Sequence, residues 1–487
     1  MIRMNRFKLR RYGAMLSRGL ACYMAVFGLC CCSTSAAPAS EAVTKDGPNV
    51  LFIISDDLST ALGAYGHQQC KTPNLDALAK RGVVFERAYC QFPVCGQSRS
   101  SLLTGQYPDL LTPTGFRKKY PRLVTLPQYF KNNGFYAARI SKIYHMGVPP
   151  NIAAGTSGPD DRLSWDRTFN VKAAESKTKG EREFLSPKQK SVGGAMITVK
   201  GPEDDSLYVD GIATAEALKW LDELGDRRFF LAVGMVRPHV PFVAPKSYFD
   251  LYDPKEMIVP TPDSDMRDVP KPALCKHNST FTGMNLTQQR KAVAGYYATV
   301  SYADALIGRI LDKLTALGLD KNTIIVFTSD HGYNLGEHGC WEKQQLWEES
   351  IRVPLIISGP GIAKGVRCKK IVELVDLYPS LADLAGFQIP TDLVGQSLRP
   401  LVDPASTSTW TDKTYAYTTV NGKGHGSSIR TDRWRYNERP NCAPELYDHK
   451  NDSKEFTNVA RNPENATVLT RMKALLQNAK SRAQFSK

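Results

Sequence analysis

The stretch NVLFIISDD, residues 49–57, decides the fold class of this chain. Residues 50–55 form a continuous β-prone run, which is typical of a strand buried on both faces of a sheet. The next element, Pro73–Arg81, is predicted to be a helix because proline stands in its first turn and glycine follows its end. The pair Asp56-Asp57 therefore lies at the point where the first strand ends.

Strands and helices alternate along most of the chain. Further strands are predicted at Phe135–Ile140, Phe229–Gly234, Ile324–Thr328 and Pro354–Ser358, and helices at Val209–Leu224 and Thr287–Leu317. This alternation predicts a central mixed, mainly parallel sheet with helices on both faces. Ligands of such sheets bind beyond the carboxyl ends of the strands. Asp56-Asp57 and Asp330-His331 each follow a predicted strand, so we expect both pairs on that rim.

The run VCGQSRSSLLTG, residues 94–105, is the second informative segment. It places Cys95 at the start of a predicted helix and Arg99 one turn further on. The positive end of the helix dipole and the guanidinium then face the same side, which suits an anionic group. The alternative is a buried cysteine followed by an ordinary helix.

Further motifs follow in a fixed order: SKIYH at 141–145, RPHVPF at 237–242, and TSDHG at 328–332 running into GEHGCWEK at 336–343. Together with residues 49–57 and 94–105, this set resembles the formylglycine-dependent sulfatases, most closely the iduronate-2-sulfatase branch. The resemblance covers residues 48–400 and continues more weakly at 428–431 and 445–448. It implies an α/β, alkaline-phosphatase-like fold: a central mixed sheet flanked by helices, with a smaller C-terminal α+β subdomain on a short antiparallel sheet.

The expected domain organisation is an export signal at 1–37, a catalytic domain at 48–400 and a C-terminal subdomain at 401–487. Six basic residues precede the apolar stretch 20–32, and small residues follow it, as in a secretory leader. This stretch is too short for a stable membrane span. We therefore expect export to a periplasmic or extracellular space; Cys30–Cys32 raise a lipoprotein anchor as the less favoured alternative.

Two weakly periodic excursions, 155–205 and 250–285, are expected near the site, where they would set substrate specificity. Short β-prone runs in the C-terminal part predict a small antiparallel sheet that a final helix covers. The runs are Tyr415–Val420, Gly426–Ile429 and Trp434–Asn437, and the helix lies near Asn465–Lys480.

The composition of the chain indicates which class of molecule it binds. The 487-residue chain has 42% hydrophobic residues and a formal net charge of +15. A positive charge attracts polyanions. Sulfated polysaccharide fits better than nucleic acid because no basic run interleaved with aromatic residues occurs; a merely solvated basic surface is the alternative.

Eleven cysteines are present, four of them in the leader. The seven that remain would give one thiol with a catalytic role and six that could form disulfides. Free buried thiols are the competing interpretation.

Three carboxylates, Asp56, Asp57 and Asp330, are expected to meet, and a divalent cation would relieve their repulsion. Hard oxygen ligands favour Ca²⁺ or Mg²⁺. The resemblance implies one calcium ion, with His331 and the residue at position 95 completing its ligands.

The resemblance also assigns chemistry to single residues. A formylglycine-generating or equivalent maturation enzyme would oxidise Cys95, and the hydrated aldehyde would attack the sulfur of a sulfated carbohydrate. Arg99, Lys142 and Lys343 would stabilise the negative charge. His145 would deprotonate the hydrate and His239 would protonate the leaving oxygen, because imidazole titrates near neutrality.

The motifs also have structural interpretations. Lys142 and His145 could be surface loop residues, His239 could brace a turn, and Lys343 could be a solvated charge. We take these four residues as functional because of the family resemblance. His338 is expected to stabilise its loop.

One position departs from the family pattern. The modification signature has Pro or Ala two residues after the cysteine, where this chain has Gln97. The leading prediction is a sulfuric ester hydrolase acting on a sulfated sugar, a uronate or another polysaccharide-derived residue. Two alternatives stay open: a phosphoester hydrolase of the same superfold, and a non-catalytic sulfated-glycan-binding relative in which Cys95 is not converted.

Overall fold

A nine-stranded central sheet organises the protein in the computed structural model. The structure describes residues 47–108, 116–188, 196–260, 265–273, 282–411, 414–421 and 425–483. The leader predicted at 1–37 and Cys275 lie outside these residues, so export stays a prediction.

Eight strands precede the long helix Leu286–Ala316 along the described residues, and ten follow it. They are β1 (Asn49–Asp56), β2 (Gly82–Tyr89), β3 (Tyr136–Ser141), β4 (Arg167–Phe169), β5 (Glu181–Phe184), β6 (Ile197–Gly201), β7 (Phe229–Pro238), β8 (Phe242–Pro245), β9 (Thr323–Ser329), β10 (Asn334–Leu335), β11 (Trp341–Glu342), β12 (Arg352–Val353), β13 (Leu355–Ser358), β14 (Val366–Glu373), β15 (Ala416–Val420), β16 (Gly426–Arg430), β17 (Trp434–Glu438) and β18 (Glu445–Asp448).

The α-helices lie between the strands and at the end of the chain. They are α1 (Pro73–Lys80), α2 (Cys95–Thr104), α3 (Phe116–Lys119), α4 (Leu126–Asn132), α5 (Pro150–Ala154), α6 (Val209–Leu224), α7 (Lys246–Phe249), α8 (Leu286–Ala316), α9 (Glu348–Ile351), α10 (Leu377–Leu384), α11 (Arg399–Val402) and α12 (Ala466–Ala483).

The central sheet is mixed and mainly parallel, as predicted. Its order is β12-β2-β13-β9-β1-β7-β3-β4, and β14 pairs with β2. β1 is parallel to both of its neighbours, β7 and β9, whereas β13 runs antiparallel to β9 and β2. The carboxyl ends of β1, β3, β7 and β9 therefore lie along one rim.

The first strand shows why the sheet is buried on both faces. All eight residues of β1 are buried. Leu51 and Ile53 join one hydrophobic cluster, which includes residues of α1, α6 and α8. Val50, Phe52 and Ile54 join a second cluster with residues of α4 and α10. Alternate side chains thus pack against helices on opposite faces, which explains the continuous apolar run.

The C-terminal region folds as the sequence predicted, with one strand more. β15, β16, β17 and β18 form an antiparallel sheet in that order. Met472, Leu476 and Ala479 of α12 pack against Ile429 and Tyr436 in one apolar cluster. The fold is that of an α/β protein with a smaller α+β part at the C-terminus.

The described residues give information on membrane spans and on disulfides. No helix among the described residues is long and apolar enough to cross a membrane. The structure places six cysteines, Cys70, Cys90, Cys95, Cys340, Cys368 and Cys442, and no disulfide joins any two of these six.

Candidate functional site

Three buried carboxylates meet at the rim of the sheet. Asp56 is the last residue of β1, Asp57 follows it, and Asp330 comes directly after β9. Each is at most 1% exposed. The backbone N–H of Asp57 donates to Asp330 Oδ1 over 3.2 Å. The structure thus brings together the acidic pairs that the sequence placed at two separate strand ends.

Three cationic side chains pair with these carboxylates. Arg99 Nε lies 2.8 Å from Asp330 Oδ2, and its Nη2 lies 3.4 Å from Asp56 Oδ1. Lys142 forms a close ion pair with Asp56, and Lys343 Nζ is 2.5 Å from Asp57 Oδ1.

These charges control the ionisation of Asp56. Burial alone raises the pKa of its carboxyl group, but Lys142, His239 and Arg99 outweigh burial and hold that pKa well below its usual value. Asp56 is therefore ionised at neutral pH.

Cys95 is the first residue of α2, and its thiol faces the charged cluster. Its Sγ lies 3.2 Å from Lys343 Nζ, 3.3 Å from His331 Nε2 and 3.9 Å from Asp57 Oδ1. The side chain is buried, and burial raises the pKa of the thiol. Ser98, one turn along α2, donates from Oγ to the carbonyl oxygen of Asp330 over 2.5 Å, which holds the helix against the end of β9.

Two histidines present the same ring nitrogen to Asp57. Nδ1 of His331 lies 2.9 Å from the carbonyl oxygen of Gly332, and Nδ1 of His239 lies 2.5 Å from that of Val240. A carbonyl oxygen only accepts hydrogen bonds, so each Nδ1 carries a proton and each Nε2 is the ring nitrogen that faces the site. Those Nε2 atoms lie 3.3 Å and 3.8 Å from the Asp57 carboxylate.

One carboxylate oxygen at the centre of this cluster has no partner. Asp57 Oδ2 is buried and accepts no hydrogen bond within the described residues. Two sets of side chains offer ligand atoms within 4.8 Å of one another: Asp56, Asp57, Cys95 and His239, and Asp56, Cys95, Asp330 and His331. An unpaired buried carboxylate oxygen is unfavourable, and a bound cation would satisfy it.

His145 lies on the loop after β3, beside Lys142. Its Nδ1 is buried without a hydrogen-bond partner within the described residues. Burial and, to a smaller extent, the positive charge of Lys142 together lower the pKa of His145 to about 4. Arg99 Nη1 donates to the carbonyl oxygens of Lys142 and Ile143 over 2.5 and 3.1 Å, so α2 fixes this loop.

Two residues at the site were not singled out from the sequence. The hydroxyl of Tyr296 donates to the carbonyl oxygen of Asp57 over 2.8 Å and accepts from the N–H of Ser59 over 2.8 Å. In the sequence, Tyr296 stands with Val293 and Val300 at the i+3 and i+4 spacing of an apolar helix face, which is typical of a core residue, and its hydroxyl gives no separate signal. Ser98 lies within the quoted helix but carries no pattern of its own.

His338 has the contacts expected of a residue that stabilises its loop. Its ring stacks on Trp347 with centroids 4.1 Å apart, and its Nδ1 lies 3.2 Å from Asp265 Oδ2.

Comparisons with known proteins cover nearly all of this structure. The family model described as “Sulfatase” matches residues 48–387, and that described as “N-sulphoglucosamine sulphohydrolase, C-terminal” matches residues 336–482.

Individual relatives support the family match over most of the chain. A “Sulfatase” of Formosa agariphila is 33% identical over 481 residues, covering 93% of this chain and 91% of the relative. “Iduronate 2-sulfatase” of Mus musculus is 32% identical over 424 residues, covering 77% and 74%. Among solved structures, a phosphonate monoester hydrolase of Agrobacterium radiobacter is similar in fold, with a TM-score of 0.73 at 22% identity over 90% of this chain and 96% of its own.

Proposed function

The chain belongs to the sulfatase family, and we propose that it hydrolyses the sulfate ester of a sulfated sugar, a uronate or another polysaccharide-derived residue. The observation that carries this proposal is the convergence of three buried carboxylates and three cationic side chains around residue 95. A sugar substrate is favoured by the likeness to an iduronate 2-sulfatase and by the net charge of +15, which suits an anionic substrate.

A calcium ion fits this cluster. We assign its binding to Asp56, Asp57, Asp330 and His331, next to residue 95. Carboxylate oxygens are hard ligands that Ca²⁺ prefers, and the unpartnered Oδ2 of Asp57 needs a positive partner. When bound, the ion polarises an oxygen of the sulfate group.

In this proposal, residue 95 would carry the nucleophile. Formylglycine formed from Cys95 would supply the attacking oxygen. The side chain at this position starts a ten-residue helix, whose positive dipole end favours negative charge, and Lys343 Nζ is 3.2 Å away.

The charge balance of the site favours an anion. The carboxylates of Asp56, Asp57 and Asp330 are matched by Arg99, Lys142 and Lys343. A divalent cation would make this balance positive, so a sulfate ester is attracted to it. The three cationic side chains are held in place by ion pairs before substrate arrives, which is the preorganisation that stabilises transferred anionic groups.

Two histidines move the protons in this scheme. His145 is neutral at neutral pH, because burial lowers its pKa to about 4, so it accepts the proton released at residue 95. His239 donates from Nε2 to the leaving oxygen. Burial lowers its pKa to about 4 as well; the negative charge of a bound sulfate ester would act in the opposite direction and favour the protonated ring.

Two other functions have specific support. Gln97, which replaces the expected Pro or Ala, favours a protein that binds a sulfated glycan without converting Cys95. The fold shared with a phosphonate monoester hydrolase favours phosphoester hydrolysis.

One experiment separates the three. The protein from its native host is digested, the mass of the Cys95 peptide is measured, and hydrolysis of an aryl sulfate and an aryl phosphate is compared. An aldehyde mass with faster sulfate release supports the sulfatase. An unmodified thiol without turnover supports the binding protein, and faster phosphate release supports the phosphoesterase.

A further inference from the structure

Four of the eight non-glycine residues with a positive φ among the described residues lie next to charged residues of the site. Asp57 has a φ of 64°, Ser141 of 61°, Glu342 of 67° and Gln344 of 74°. This left-handed conformation is unfavourable for a residue that has a Cβ atom, and it persists only where the surrounding structure imposes it. Serine, glutamate and glutamine are not among the residues enriched in it, unlike asparagine and aspartate.

Ser141 shows that the side chain is not the reason for the conformation. It is the last residue of β3, opposite Gly234 of β7, and is 3% exposed. Its Oγ is buried and has no hydrogen-bond partner within the described residues. The hydroxyl therefore stabilises nothing that would explain the strained backbone.

The consequence of the turn at Ser141 is the position of Lys142. A strand that continued straight would carry the next side chain along the sheet. The left-handed residue turns the chain instead, and Lys142 forms its ion pair with Asp56.

The backbone of Lys142 is held from two further sides. Its carbonyl oxygen accepts from Arg99 Nη1 and lies so close to Gly234 that a Cβ atom there would be 2.1 Å away. This close approach requires glycine at position 234.

Lys343, the second lysine, has a left-handed residue on each side of it in the chain. Lys343 lies between Glu342 and Gln344, directly after the two-stranded ribbon of β10 and β11. Asn334 Nδ2 donates to the carbonyl oxygen of Glu342 over 3.1 Å, which anchors the ribbon. From this loop Lys343 Nζ reaches Asp57 and Cys95 at 2.5 and 3.2 Å.

We propose that Ser141, Glu342 and Gln344 are positioning residues. Their left-handed backbone holds Lys142 beside Asp56 and Lys343 against the group at position 95. This inference rests on the proposed function, because it takes both lysines to face the sulfate group that is transferred. Glycine should replace these residues without loss, whereas a β-branched residue should misplace the lysine.

A substitution series at Ser141 tests this in the full-length, converted protein. Ser141→Gly should keep kcat toward an aryl sulfate within about twofold, since glycine adopts the turn freely. Ser141→Val should lower kcat about a hundredfold, the effect of a catalytic group displaced by about 1 Å. Ser141→Ala removes only the hydroxyl and should stay near wild type. An equal loss in the Gly and Val variants would overturn the proposal.

A double-mutant cycle separates positioning from general damage to the fold. If Ser141 acts through Lys142, Ser141→Val should cause no further loss in a Lys142→Ala background. Losses that multiply would overturn the proposal. The same cycle is repeated at Gln344, with Gln344→Gly and Gln344→Val each made alone and in a Lys343→Ala background. Because Gln344 is half-buried, this second cycle decides the proposal if Ser141→Val does not fold.

A remote left-handed residue provides the matched control. Asn441, with a φ of 54°, is exposed in the C-terminal region. Asn441→Val should lower the thermal midpoint and leave kcat unchanged. A loss of kcat like that of Ser141→Val would show that any strained turn has this effect, and would overturn the proposal.

Crystal structures decide the positioning independently of turnover. Lys142 Nζ should stay beside Asp56 in Ser141→Gly and leave it in Ser141→Val. If it stays in Ser141→Val, the positioning proposal is wrong even in an active sulfatase. If the converted wild-type protein releases no sulfate, the proposed function fails, and the place of Lys142 in these structures still decides the inference.

Discussion

Two buried clusters of charge in this protein differ in how their carboxylates are satisfied. The site cluster comprises Asp56, Asp57, Asp330, Arg99, Lys142 and Lys343. The C-terminal cluster comprises Glu348, Glu455, Arg430, Arg435 and His449. Both consist of acidic and basic side chains, and in both the carboxylates are almost completely removed from water.

In the C-terminal cluster every carboxylate oxygen has a partner. Glu348 Oε1 accepts from the hydroxyl of Tyr89 over 2.9 Å, and its Oε2 pairs with Arg435. Glu455 Oε1 pairs with Arg435 and with His449 Nε2, and its Oε2 accepts from the N–H of Glu348 over 2.8 Å. Glu348, His449 and Glu455 are close enough to hold a metal ion, but Arg435 already pairs with both glutamates and Arg430 pairs with Glu348.

The site cluster differs at Asp57, whose Oδ2 has no hydrogen-bond partner within the described residues; its neighbour His239 Nε2 is 3.8 Å away. A satisfied buried network holds the C-terminal strands to α9 and is structural. A network with one unsatisfied carboxylate oxygen is set up for a ligand, because leaving it unpaired is unfavourable. The comparison predicts that substitutions in the two clusters affect different properties.

The largest expected effect is on activity, at position 95. Cys95→Ala should lower sulfate release by about 10⁴-fold or more, as removal of a nucleophile does. Its thermal midpoint should stay close to that of wild type, since the thiol pairs with no other cysteine among the described residues. Sulfate release and thermal unfolding measured on one preparation check this; residual activity near the wild-type level would contradict it.

The next effect is on stability, in the C-terminal cluster. Arg435→Met should lower the free energy of unfolding by about 3–5 kcal/mol, because it removes the buried guanidinium that Glu348 and Glu455 share. The kcat of the folded fraction should not change. Arg433→Met is the matched control: Arg433 pairs with Asp448 at the surface, where its side chain is 47% exposed, so the loss of stability should be much smaller than for Arg435→Met. Equal losses in urea unfolding would refute the contrast.

Calcium should act on the site cluster alone. At a concentration of about 100 times Kd, Ca²⁺ should stabilise the folded protein by about 2.7 kcal/mol. Asp57→Asn should abolish this gain, whereas Glu455→Gln should keep it despite its lower starting stability. Thermal unfolding with and without Ca²⁺ is the measurement, and an undiminished gain in Asp57→Asn would place the ion elsewhere.

The smallest expected effect is that of Gln97 on the conversion of Cys95. Gln97→Pro restores the family signature at the third residue of α2, where a proline is tolerated because first-turn N–H groups have no partner within the helix. In a host with the maturation enzyme, the converted fraction of Cys95 should rise while stability changes little. Peptide masses measure that fraction. No increase would show that Gln97 does not limit conversion.

The sequence predicts the elements whose signals are local. The apolar run of β1 and the stripe of α8 give strand and helix within one or two residues, and the acidic pairs after β1 and β9 indicate the rim. β2 and β14 were not predicted. β14 has four exposed positions among its eight residues, so it lacks a continuous apolar run, and β2 pairs with β13, which lies more than 250 residues away along the chain.

At the site, too, the sequence predicts what has a local signal and misses what depends on distant contacts. Cys95 and Arg99 are separated by one helical turn, and the structure brings Lys142, His239 and Lys343 to the same cluster. The hydroxyl of Tyr296 and the turn at Ser141 could not be foreseen, because one depends on a contact across more than 200 residues and the other on backbone conformation.

The most direct test relates activity to the chemistry at residue 95. Preparations that differ in the converted fraction of Cys95 are compared by their sulfate release from an aryl sulfate in the presence of Ca²⁺. A sulfatase built on that residue gives an activity proportional to the converted fraction, with none from chains that keep the thiol. Full activity in a preparation that contains only the thiol would contradict it.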